Sequence, residues 1–186
     1  AVAALILPLR RLDPNPLPAP FTGGTEIGQW RPTESFFPSP PPTLAPMAVP
    51  WMASFDPFTL TGPARYRAPP PPALTSDVYT ADYNEVKAKG ALTNSTRTAA
   101  QTDIAYSWTD NFGVQWNRAI REIVLKHVPQ IGDRARLFAL ANLAGADALI
   151  TAWDSKKHYF FWRPVTAIRN GELDGNPDTA GDGEWQ

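Results

Sequence analysis

Proline is distributed so unevenly along this chain that it decides where helices can form. Eighteen of the 21 prolines fall within the first 72 of 186 residues, in runs such as PSPPP (38–42) and PPPP (69–72). Each proline lacks an amide donor and pushes the residue before it towards extended geometry, so no helical core can be built there. Disordered linkers are poor in aromatic residues, yet this segment carries Phe21, Trp30, Phe36, Phe37, Trp51, Phe55, Phe58 and Tyr66. Residues 13–74 are therefore expected to form an extended strap, held by its rings across a helical body. A proline-rich ligand for a recognition domain is the alternative.

The character changes at residue 75, and residues 75–186 are predicted to be the helical body. In TSDVYTADYNEVKAKG, Ser76 or Asp77 can cap a helix that carries lysines late and Gly90 as terminator. Thr98 and Gln101 have capping-box spacing at the start of a second helix. VQWNRAIREIVLKHV puts Trp116, Ile120, Ile123 and Val124 on one face of a third, which stops at Pro129. A long helix is predicted from Asp133, apolar on nearly every side, with small residues at Ala141, Ala144, Gly145, Ala146 and Ala148. Such a helix is expected to be buried among close neighbours. No segment alternates with period two, so the fold class is all-α.

The remaining composition excludes several functions. A net charge of −1 creates no long-range field for nucleic acid or anionic lipid. Without cysteine there is neither a disulfide framework nor a thiolate metal site. The apolar run AVAALILPL at 1–9 is far below the roughly 20 residues of a spanning helix, so no membrane span is expected. It lacks the basic start of a signal peptide, and residues 1–12 are taken as the end of a helix that begins upstream.

The chemistry concentrates in KKHYFFWRPV, residues 156–165. Trp153 and Lys156 are three apart and hence neighbours on a helix. Lys156 and Arg163 are seven apart, two turns, and share a face if the helix continues. Pro164 disfavours helical geometry at Arg163, so a helix ending near Trp162 and a new one from Pro164 to Gly171 are predicted. A buried cation must be paired or bind an anion, and a lysine beside an arginine fork suits a tetrahedral oxyanion. Simple complementation of a helix C-terminus by cations is the plainer alternative. His127 and His158 are isolated and are not read as metal ligands. Asp147 is expected to pair with an arginine, and DGNPDTAGDG (174–183) to be a solvated turn, since it departs from a calcium loop at Thr179 and Trp185. Asn94 in NST is read as a polar loop.

WDSKKHYFFWRPVTAIR, read as W-x-x-K, six residues and then R-P, resembles the first active-site motif of the vanadium-dependent haloperoxidase and type 2 phosphatidic acid phosphatase superfamily. GQWRPT (28–33), PPPPALTSDVYTADYNEVKAKG (69–90), RLFALANLAGADALITAWDSK (136–156) and DGNPDT (174–179) are similar to bacterial haloperoxidase-like members. The resemblance implies a helical bundle of the haloperoxidase/acid phosphatase type that holds vanadate, or phosphate, among cations. Lys156 and Arg163 would bind oxyanion oxygens, and Trp153 would wall the site or donate a hydrogen bond. In the haloperoxidases vanadate takes up peroxide and oxidises a halide; in the phosphatases the pocket holds a phosphate ester. Positive donors stabilising a trigonal-bipyramidal centre are common to both.

The later family motifs, P-S-G-H and S-R followed by histidine, do not occur. The chain is therefore expected to be part of a larger protein, to hold no catalytic residue itself, and to need the missing C-terminal part. The leading expectation is a portion of a haloperoxidase-like enzyme, with small-molecule substrates and a secreted or periplasmic location implied by family alone. A phosphatase and a non-catalytic assembly subunit on the same scaffold are the alternatives. Homo-oligomerisation is left open.

Overall fold

The structure, a computed structural model, describes residues 21–34 and 44–186. The expected helix end at 1–12, the rings of Phe36 and Phe37, and PSPPP lie outside these residues. The described chain is predominantly helical, as the all-α expectation required. Its only paired strands are β1 (Thr33–Glu34) and β2 (Leu44–Ala45), antiparallel with Thr33 opposite Ala45.

Local sequence chemistry sets the helix starts. Helix α1 (Asp77–Gly90) opens on Ser76, whose side chain accepts from the Tyr79 N–H, and carries Lys87 and Lys89 in its last turn. Helix α2 (Ala99–Ser107) has the reciprocal capping box of Thr98 and Gln101. Helix α3 (Phe112–His127) is capped by the Asn111 side chain, which accepts from the Val114 N–H. Helix α4 (Ile131–Tyr159) has 29 residues, about 43 Å at 1.5 Å per residue. It starts two residues before the expected Asp133, directly after the Pro129 break, and places that acid in the favourable first turn. Helix α5 (Pro164–Arg169) follows a short extended link.

The expectation that α4 is buried all round is not met. Its buried residues are Asp147, Ile150 and Thr151, whereas Ile131 is 84% and Leu140 55% exposed. Apolar and small residues permit close neighbours, but only contacts decide which faces have them. Helix α3 packs on α4, and the side-chain amides of Asn117 and Asn142 bond each other across that contact. Likewise Val124 of α3 is buried while Trp116 and Ile123 remain more than half exposed. By length and apolar composition α4 would also suffice to cross a bilayer. Its C-terminal half instead carries polar groups that receive the strap.

The strap descends α4 through two 3-10 turns, Pro50–Ser54 and Pro63–Tyr66, which make the main contacts to that helix. Of its expected ring anchors, Trp30 is buried and Phe21, Trp51 and Phe55 are half-buried, but Phe58 and Tyr66 are largely exposed. Polar bonds do much of the holding. Trp153 Nε1–H donates to the Ala48 carbonyl (2.8 Å), Tyr159 Oη–H to the Ala68 carbonyl (2.6 Å), and Arg67 spans both oxygens of Asp154 (2.7 and 3.1 Å).

The tightest core lies elsewhere, where Tyr79 and Tyr83 of α1 meet Trp162, Ala167 and Ile168. The segment after α5 closes over it. Tyr83 Oη–H donates to the Ala180 carbonyl (2.9 Å), and Trp185 Nε1–H to the Lys87 carbonyl (3.0 Å). This corrects the expected solvated turn: Asp174, Asn176 and Thr179 are all buried. The Thr179 hydroxyl donates to the Asp174 carboxylate, while Asn176 Nδ2–H bridges the Leu74 carbonyl and Thr80 Oγ1 at 2.8 Å each. A polar turn can be buried when every group finds a partner.

Candidate oxyanion site

Helix α4 stops because Phe160 adopts the left-handed conformation (φ 54°) at its C-cap. The helix thus ends three residues earlier than predicted, and Lys156 and Arg163 do not share one continuous helical face. The link is held by the GQWRPT segment instead. Gln29 forms an antiparallel bridge to Phe161; the Trp30 N–H donates to the Phe160 carbonyl (2.7 Å) and the Trp162 N–H to the Gly28 carbonyl (2.9 Å). Arg163 has extended dihedrals (φ −81°, ψ 155°), the conformation favoured before proline, and Pro164 begins α5.

That detour brings both cations into one cleft of about 420 Å³, whose lining includes Lys156, Arg163 and Trp153 together with Trp30, Tyr159 and Phe161. The opposite wall comes from the strap, through Met47, Ala48, Ala68, Pro69 and Pro71. Among the described residues no carboxylate lines it. Lys156 Nζ lies 3.8 Å from the centroid of the Trp153 ring, a cation–π arrangement. Trp153 spends its indole N–H on the strap carbonyl, so it contributes a ring face to the cleft. Arg163 Cζ stands 5.8 Å from the Trp30 ring centroid, and its Nη1–H donates to Thr33 Oγ1 at 3.3 Å.

Among the described residues neither Lys156 nor Arg163 forms an ion pair. Desolvation, and then the positive charge of Arg163, lower the pKa of Lys156. Both residues are exposed, so the expectation of a buried cation is not met. Yet the two cations disfavour each other, no anion among the described residues offsets them, and a bound oxyanion would relieve that repulsion. Several other polar groups on the wall are already engaged: Ser155 Oγ–H donates to the Thr151 carbonyl and accepts from the Ala68 N–H, and Tyr159 is bonded to the strap, whereas the buried Trp162 Nε1–H has no hydrogen-bond partner among the described residues. The donor set therefore fits a vanadate or phosphate held by Lys156 Nζ and the Arg163 guanidinium.

Asp147 corrects a further expectation. It does not line the cleft and binds no arginine among the described residues; it accepts from the Phe58 N–H (2.5 Å), the Thr59 N–H (2.8 Å) and the Thr59 hydroxyl (2.5 Å). Burial pushes its carboxyl up, but the Thr59 hydroxyl and the backbone amides outweigh this and hold its pKa below the usual value. The arginine is found seven residues on, at Asp154. His127 and His158 are exposed near the ends of α3 and α4. Trp30 is expected from the sequence only as a strap anchor and Thr33 not individually, and the structure sets both against Arg163. Their only signal for that role was membership of GQWRPT, one of the stretches that carry the family resemblance.

Comparison with known proteins bears on the same region. Residues 136–186, which include Trp153, Lys156 and Arg163, match the family described as the VCPO second helical-bundle domain. The vanadium chloroperoxidase of Curvularia inaequalis is 47% identical over 53 residues, covering 28% of this chain and 8% of that protein. Over this stretch the chain is similar to vanadium-haloperoxidase-like proteins, and it spans only a small part of the length of the relative it matches.

Proposed function

We propose that this chain supplies the Lys156/Arg163 half of a vanadate site in a haloperoxidase-like enzyme that oxidises halide with peroxide. The observation that carries the proposal is the meeting of two cations in one cleft that no carboxylate among the described residues lines, with the Lys156 pKa lowered by desolvation and by Arg163. Vanadate, when bound, would supply the Lewis-acidic centre that activates peroxide. The chain's own residues have simpler tasks. The Arg163 fork would bind two oxyanion oxygens in a fixed plane, and Lys156 would add a point charge from the other side. The ring of Trp153 would keep the ammonium oriented and partly dry. Fixed positive donors of this kind stabilise charge that builds on equatorial oxygens during reaction.

Thermal unfolding with increasing vanadate is the direct test. A ligand that binds only the folded state raises the melting temperature with the logarithm of its excess over Kd. Wild type should be stabilised, and Lys156→Ala and Arg163→Ala should each lose most of that rise. An unchanged melting temperature in wild type, or an equal rise in both variants, would remove the oxyanion role and favour a structural subunit. Peroxide-dependent bromination and phosphate-ester hydrolysis by the longer parent protein then separate peroxidase from phosphatase.

A further inference from the structure

The cleft is far larger than the anion that its cations would hold. A four-oxygen anion occupies on the order of 100 Å³, counting roughly 30 Å³ for each water-sized group, whereas the cleft measures about 420 Å³. What surrounds the excess space is apolar. Met47, Pro69 and Pro71 of the strap line it together with Tyr159 at the helix end and Phe161 in the link that follows. Most polar atoms of that wall are engaged: the Tyr159 hydroxyl, the Ala68 amide and carbonyl, the Ser155 hydroxyl and the Trp153 N–H are bonded to one another, to α4 or to the strap. Beyond the two cations and the unpartnered Trp162 Nε1–H, the lining offers mainly apolar contact.

We propose that the cleft contains a second subsite, adjacent to the cations, that accepts the aromatic ring of an organic oxyanion such as an arylphosphonate. This rests on the oxyanion role of Lys156 and Arg163 and adds to it the chemical class of the organic group. The tetrahedral head lies on Lys156 and Arg163, and the ring enters between the strap prolines and the two aromatic side chains. Flat rings suit this wall because proline and aromatic faces offer broad, rigid apolar area at little entropic cost. The subsite is built by two parts of the chain. It exists only while the strap remains docked through Arg67–Asp154 and Tyr159–Ala68.

The test compares phenylphosphonate, methylphosphonate and inorganic phosphate by calorimetric titration of the full chain, with no mutation needed for the primary result. Phenylphosphonate is expected to bind about tenfold more tightly than methylphosphonate, a difference of about 1.4 kcal/mol. The double variant Met47→Ala/Pro71→Ala should reduce that preference to about threefold or less and leave phosphate affinity unchanged. Equal affinity for the phenyl and methyl compounds overturns the aromatic subsite while leaving the oxyanion site standing. Absence of binding by all three, or binding that survives in Lys156→Ala and Arg163→Ala, overturns the oxyanion role itself and the subsite with it.

Discussion

Asp147→Ala is the substitution whose consequence the structure defines most sharply. The carboxylate is only 2% exposed and takes three hydrogen bonds from two consecutive strap residues, at 2.5, 2.8 and 2.5 Å. Bonds to a charged acceptor contribute about 1.5–3 kcal/mol each, so three of them give a gross loss of about 4.5–9 kcal/mol. Phe58 and Thr59 are themselves exposed, and their freed donors can turn to water, which returns much of that loss. The net cost is about 2–4 kcal/mol. Thr59→Val removes only the hydroxyl donor and costs about 1 kcal/mol. Urea unfolding measures the total, and hydrogen exchange at the Phe58 and Thr59 amides reports whether the strap opens locally first. Acid titration supplies an independent check, because the folded pKa of Asp147 is depressed. Its stabilisation is fully present above the unfolded carboxylate value and is lost as pH falls through the lower folded value. Asp147→Ala should therefore flatten stability against pH within that acidic window. A variant with unchanged urea midpoint and unchanged exchange at both amides would refute the role of Asp147 as the strap's anchor.

Three further outcomes follow from the cleft and the core. Thr33→Val removes the hydroxyl that receives Arg163 Nη1–H and should weaken vanadate or phosphate binding about threefold, with Thr33→Ser restoring it; titration calorimetry reads this. Because the Lys156 pKa is lowered by desolvation and by Arg163, binding of sulfate, whose own charge is constant, should decline on the alkaline side at a pH below the ordinary lysine value, and Lys156→Arg should move that decline upward. Gly171→Ala would drive a methyl group into the Tyr83 hydroxyl and the Thr179 carbonyl, costing about 1–3 kcal/mol in urea unfolding.

What was legible in the sequence was what is decided locally. The Ser76 cap, the Thr98–Gln101 box and the extended Arg163 before Pro164 each depend on residues within four positions of one another. What was not legible depends on partners far along the chain. Asp147 meets Phe58 and Thr59 across almost ninety residues, and Asn176 reaches Leu74 and Thr80 across about a hundred. No helical or turn periodicity contains that information, so the sequence alone suggests an arginine for Asp147 and a solvated position for the 174–183 turn, and neither is found. The exposure of α4 has the same origin: its composition states that neighbours are tolerated, and the described chain covers only part of its circumference.

Two explanations of the KKHYFFWRP cations can now be separated residue by residue. Lysines in the last turn of a helix are favoured by the carbonyl end of the dipole, and that effect is exhausted within about one turn. It accounts for Lys157 and His158, and for the position of Lys156 along the helix, all three being exposed in the final turn of α4. It does not account for Arg163, which lies four residues past Tyr159, beyond the left-handed Phe160, and is held by Thr33 and the Trp30 ring. Nor does it explain why Lys156 lies over Trp153 in the same cleft as that arginine, at the cost of a lowered pKa. Bringing two cations together opposes their mutual repulsion, and an anion between them is the simplest physical reason for a fold to do so.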